Sequence, residues 1–135
     1  MASLLYPSCK EALLKGDLDL EALTIKAVGI DSADYTYSSA HNFLDDIPAG
    51  ARVGTPQTLA NKTFTGGAFD ADPITFSGMT GDPFERVLLY VSRGGAESAD
   101  ELIGLIDIPV ADSPVTPNGG DVTLSWATAG YIFAL

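Results

Sequence analysis

Two aspartates, Asp70 and Asp72, stand two residues apart in "NKTFTGGAFDADPITFSG" (61–78), beside paired glycines and aromatic residues. On an extended chain, residues two apart share a face, so both carboxylates would project together. Two chemistries use such a pair: a calcium loop and an acid/base couple. A calcium loop of the EF-hand kind needs a third oxygen ligand two residues on, then a glycine, and a closing bidentate Glu. Position 74 is Ile, position 75 is Thr, and the next Glu is Glu85, so the pattern fails. An acid/base couple needs one carboxyl in an apolar pocket and the other in water, a difference that spacing does not supply. The reading that fits is structural. Asp70 and Asp72 decorate a turn without a tightly bound ion, Pro73 ends it, and "ITFSG" resumes as a strand with Ile74 and Phe76 inward.

A cysteine nucleophile with a histidine base is the next chemistry to weigh, and the chain has one of each, Cys9 and His41. Cys9 falls at a predicted helix start among apolar residues, where a thiol packs as a small hydrophobe. His41 lies in a polar turn. Structural zinc needs three or four Cys, His or carboxylate ligands at workable spacing, which one Cys and one His do not supply. The pairs Gly66-Gly67, Gly94-Gly95 and Gly119-Gly120 lack the lysine and the strand-to-helix setting of a phosphate loop, and turn geometry explains them. No catalytic, cofactor-binding or metal-ligating residue is therefore assigned, and an enzyme is not expected.

The elements that place these residues read mainly as strand and turn. "PSCKEALLKG" predicts one short helix over residues 8–15, with Ser8 and Glu11 at capping-box spacing and Gly16 ending it. "SSAHNFLDDIP" predicts a single turn capped by Ser38 or Ser39, stopping before Pro48. "ALTIKAVGI" (22–30) is rich in β-branched residues. "ERVLLYVS" (85–92) and "LIGLIDI" (102–108) are apolar on both faces, as in central strands, and "RGGAESAD" between them suits a hairpin loop. "DVTLSW" (121–126) alternates, with Val122, Leu124 and Trp126 on one face. A turn region over 113–121 and a final strand in "GYIFAL" complete the pattern. The expectation is one mainly β domain over 1–135, a sandwich or barrel with an N-terminal helix or arm (1–20) and an irregular loop or arm at 47–58. The predicted core includes Ile25, Ile74, Phe76, Val87, Leu89, Ile106, Leu124 and Trp126.

Length and charge bound the function. A chain of 135 residues, 46% hydrophobic and 19% charged, can bury a core without staples. Its 18 acids and 7 bases give a net charge of −11, which repels phosphate backbones and offers no basic stripe to nucleic acid. A single cysteine leaves no internal disulfide, and no apolar run of about 18 residues predicts a membrane span. The N-terminus lacks the basic start of a secretory signal, so a cytoplasmic origin is expected.

Four segments, "KEALLKGDLDLEALTIKAVGID", "YTYSSAHNFLDDIP", "TFTGGAFDADPITFSG" and "PVTPNGGDVTLSW", occur in this order and span most of the chain. Together they resemble small virion proteins of tailed bacteriophages, whose genes commonly lie beside that of the major capsid protein. The resemblance implies a structural protein of the particle. A capsid decoration (cement) protein on the outer shell comes first, and a fibre-anchoring or tail-associated protein second. It implies the major capsid protein and copies of the chain itself, as a trimer or dimer, as partners, and the virion, assembled in the host cytoplasm, as location. It carries over no catalytic or ligand residue, no cofactor and no small-molecule substrate. An acidic, rigid β domain suits a basic patch on a shell. The N-terminal helix and the 47–58 arm are the expected gripping elements, removable with the β core still folded. The interface residues expected are Tyr6, Leu13, Tyr35, Tyr37, Arg52 and Val53, with Tyr35 and Tyr37 able to form an exposed patch. The competing class is a carbohydrate- or receptor-binding β module, which would show exposed Tyr and Trp beside carboxylates in a concave face.

Overall fold

The structure, a computed structural model, describes residues 4–108, 114–126 and 131–135. The start of the expected turn at Ser113, the start of the final strand at Gly130, and residues 1–3 of the arm lie outside the described residues. The architecture is mainly β, as the alternation predicts.

Five strands make one antiparallel sheet: β1 (Leu4–Leu5), β2 (Ile25–Ile30), β3 (Arg52–Thr58), β6 (Arg86–Val91) and β7 (Leu102–Asp107), in the order β1-β7-β6-β2-β3. Two short ladders join it. β4 (Ala68–Phe69) pairs with β9 (Phe133–Ala134), and β5 (Ile74–Phe76) pairs with β8 (Val122–Leu124). The final strand is thus tied in by β4 rather than by the large sheet. Every residue of β6 is buried, because its apolar side chains find cover on both faces. The β6–β7 hairpin runs through the polar 93–100 loop as its glycines suggest.

The helix, α1 (Pro7–Lys15), packs against β7. Its start differs from the capping box expected at Ser8. Pro7 occupies the first turn with its ring-fixed φ, and Tyr6 is the extended cap residue. Glu11 instead reaches forward to Lys15 at 2.6 Å, both exposed. The stop is as predicted: Gly16 takes φ 77, and the N–H of Asp17 returns to the Ala12 carbonyl at 2.8 Å. The second helical turn forms at Leu44–Asp46, not at Ser38 or Ser39. The Asp46 carboxylate accepts the N–H groups of Asn42 and Phe43 at 2.8 and 3.1 Å, while Ser38 Oγ accepts only from Ala40.

Residues 47–58 are not an irregular arm. They hold a short 3₁₀ turn (Ala49–Ala51) and then β3, the edge strand of the large sheet. Gly54, Thr55 and Pro56 form a bulge there: Ala27 pairs with Gln57, and Gly29 already pairs with Val53. Gly54 makes it possible with φ 86, and a Cβ there would come within 2.7 Å of the Met79 methyl.

The core contains Ile25, Ile74, Phe76, Val87, Leu89 and Ile106 as expected. Leu124 and Trp126 are only half-buried, because β8 lies in a two-stranded ladder and packs on the core from its margin. Gly104 in β7 meets β1 closely. A Cβ there would lie 2.6 Å from the Leu4 carbonyl oxygen. Gly104→Ala is therefore expected to push β1 off the sheet at a loss of about 1–3 kcal/mol. Urea unfolding checks it, and a midpoint equal to that of the parent chain would refute the close contact.

Candidate functional site

The expected interface residues divide into three environments. Tyr6 is fully buried at the mouth of α1, and its hydroxyl shares a 2.8 Å hydrogen bond with that of Tyr35. Tyr35, itself buried, continues to His41 Nδ1 at 2.7 Å, and the Tyr37 ring leans on Tyr6 at 5.2 Å. These tyrosines form an internal polar chain and not an exposed contact patch. Their alternation was legible, but Tyr6, which covers them, lies 29 residues away. Desolvation, and then the bond from Tyr35, pushes the Tyr6 phenol above its ordinary range; burial likewise raises Tyr35. Both stay neutral hydroxyls, suited to structure.

Val53 is also internal, and Arg52 is half-buried. Val53 is buried in the core. Arg52 forks onto Glu97 at 2.7 and 3.0 Å and donates to the carbonyls of Leu44 and Ile47 at 2.8 and 2.7 Å. It ties the 44–47 turn and the β6–β7 loop to the edge strand. Neither residue is displayed as a gripping arm.

The residues considered for chemistry do not converge. His41 commits Nδ1 to Tyr35, and burial pushes the Cys9 thiol up to about 11, aided by the nearby Glu101 carboxylate. A thiol in that state is a packing group, not a nucleophile. Asp70 lies in a bridge with Thr63, exchanging backbone bonds of 2.9 and 3.0 Å. The Asp72 carboxylate accepts from the Asn61 side chain, and its carbonyl accepts from Trp126 Nε1 at 3.0 Å. The pair therefore does not sit in the turn that the residue pattern suggests: Asp70 is a bridge residue, and Asp72 lies in the link that leads to β5. A carboxylate cluster that spacing did not reveal is formed by Asp31, Asp34 and Asp82, whose oxygens lie within 4.8 Å of one another. Asp31 Oδ1 is already used by the Ala33 N–H at 2.9 Å.

Leu13, half-buried, borders an open surface. With Leu20, Phe64, Phe69, Phe133 and Leu135 it lines an apolar groove of about 320 Å³ between the end of α1 and the β4–β9 ladder. Phe69 forms its floor, 5.4 Å from Phe64 and 5.2 Å from Phe133 between ring centres. Asp19 and Glu21 stand at its rim, and none of its lining residues is basic. The loop behind it is fixed by Lys62, whose Nζ donates to the carbonyls of Leu20, Glu21 and Leu23. Sequence reasoning missed the groove, because its residues come from four separate stretches of chain.

Among the described residues four carboxyls are held below their ordinary values: Glu11 by Lys15, Asp46 by the N–H groups of Asn42 and Phe43, Glu97 by Arg52, and Glu101 by Arg93. A depressed folded-state value means stabilisation that is complete above the unfolded value and lost as pH falls through the folded one. Melting temperature is thus expected to fall below about pH 4. Asp46→Asn should flatten that fall; an unchanged profile in thermal melts would contradict the role given to Asp46.

Among the described residues no helix is long and apolar enough to cross a membrane. No protein-family model matches the chain, and no curated protein matches it.

Proposed function

We propose that this chain is a non-enzymatic structural protein of a tailed-phage particle: a decoration (cement) protein that binds the outside of the assembled shell. Its partners are the major capsid protein and further copies of itself, as a trimer or dimer, and it resides in the virion. The observation that carries this reading is the ordered resemblance of four segments spanning most of the sequence. Two features support it. A central sheet covered on both faces gives a stiff body, and a surplus of acids keeps that body soluble and repels packaged nucleic acid.

The gripping elements must be moved from where the sequence suggested. Residues 47–58 belong to the sheet, and deleting residues 1–16 would remove β1 and the buried Tyr6 and Cys9. Such a deletion would unfold the domain instead of testing its contacts. Electron cryomicroscopy of purified particles carrying the labelled chain is the direct test. Density at the junctions between capsid subunits, with loss of heat resistance when the chain is stripped, is expected. Label confined to the tail or to one vertex would replace the cement reading with the tail- or fibre-associated one.

One observation favours the carbohydrate-binding alternative. Half-buried Trp126 borders a cleft of about 410 Å³ with Asp107 and Thr123. The ring's N–H is spent on Asp72, and Tyr6 and Tyr35 are buried elsewhere, so this face offers one aromatic residue and not a platform of them.

A further inference from the structure

We infer that the groove lined by Leu13, Leu20, Phe64, Phe69, Phe133 and Leu135 is a docking site for a protein segment that carries apolar side chains and lysine or arginine. This deepens the shell-binding reading and rests on it only for the partner's identity; the chemistry of the occupant rests on the groove. Leu135 is 77% exposed at one wall, and Leu14, next to Leu13 at the end of α1, is 90% exposed. Leu135 is thus left in water beside a concave aromatic floor, whereas Leu14 does not itself line the groove. The rim decides the sign of the partner. Asp19 and Glu21 both line it, and no base does.

A second copy of the chain fits poorly. The copies proposed above meet through another face, because here an acidic rim would confront a second chain of net charge −11. The seven bases are also mostly spent: Lys15 on Glu11, Arg52 on Glu97, Arg86 on Asp107, Arg93 on Glu101, and Lys62 on the three carbonyls behind the groove. Lys10 and Lys26 remain to answer an acidic rim. A segment from a different, basic protein surface meets both the apolar floor and the carboxylates.

The whole chain is titrated calorimetrically, at physiological salt, with a synthetic peptide of alternating leucine or phenylalanine and lysine. A twin peptide with every lysine replaced by glutamate is the control. The lysine peptide is expected to bind saturably, one per chain, and the twin at least tenfold more weakly. Leu135→Asp and Glu21→Lys alter exposed side chains, so each should weaken the lysine peptide at least tenfold with melting temperature unchanged. Equal binding by the parent and both variants would overturn the site. So would sedimentation showing self-association of the parent that Leu135→Asp abolishes, because the groove would then be covered by a second copy. Imaging separates this inference from the shell reading. A chain seated on the shell with its groove open to solvent overturns the groove alone. Peptide binding that depends on Leu135 and Glu21, in a chain found only at the tail, supports the groove and removes the shell.

Discussion

Phe84→Ala is expected to destabilise the domain by about 3–5 kcal/mol, the range for emptying a large aromatic site in a core. Phe84 is fully buried and joins two parts of the fold. Its ring stands edge-on to Phe76 of β5, with centres 6.4 Å apart and planes at 72°. It also rests against Gly29 of β2, where a Cβ would come within 2.9 Å of the ring. Its backbone exchanges bonds of 3.0 and 2.9 Å with Val115. Removing the ring leaves a void bounded by a glycine, which has no side chain to move in. Phe84→Leu should lose less, since it keeps part of the volume. Denaturant unfolding with an unchanged slope measures both. A loss under about 1 kcal/mol for the alanine variant would show that the surroundings collapse freely.

Arg52→Ala is expected to cost about 2–3 kcal/mol, and most of that comes from carbonyls rather than from the ion pair. The Glu97 side chain is 53% exposed, and ion pairs in water are worth about 0–1 kcal/mol. The carbonyls of Leu44 and Ile47 sit where the guanidinium replaces water, so losing it leaves them poorly satisfied. Glu97→Ala should therefore cost less than about 1 kcal/mol. Arg52→Lys should recover little, because an ammonium lacks the fork that serves Glu97 and two carbonyls together. If Glu97→Ala matched Arg52→Ala in thermal or denaturant melts, the ion pair would be the dominant contact and this assignment would fail.

What could be read from the sequence was whatever depends on neighbours along the chain. Strands β2, β6 and β7 are legible because an apolar run covered on both faces has one stable use. The end of α1 is legible because Gly16 alone can take the left-handed conformation there cheaply. The expectation of a turn at Asp70 and Asp72 fails, because the bridge that holds Asp70 is made with Thr63, outside the local pattern that Pro73 suggests. The 47–58 segment misleads for a local reason: Gly54 and Pro56 punctuate it like a loop, yet a bulge at a sheet edge tolerates both. The capping box at Ser8 misleads because Pro7 sets the helix start first. The roles of Tyr6, Tyr35 and Arg52 depend on partners far along the chain, such as Glu97, 45 residues from Arg52. The groove is assembled from four such stretches, and no window of sequence contains it.

The pairing pattern also sets the pace at which the fold can appear. Leu4 pairs with Leu105, Phe69 with Phe133, and Ile74 with Leu124. Each closure needs a long loop to be ordered before its contacts repay the lost chain entropy. Among the pairings of the described strands the β6–β7 hairpin is the most local, so it is the natural nucleus, with β2 adding next and the outlying ladders last. Refolding belongs in the millisecond-to-second range of β topologies rather than the microseconds of helical bundles. Until the ladders close, the faces of β6 lie open, and the surplus of acids is what holds half-folded chains apart during that interval.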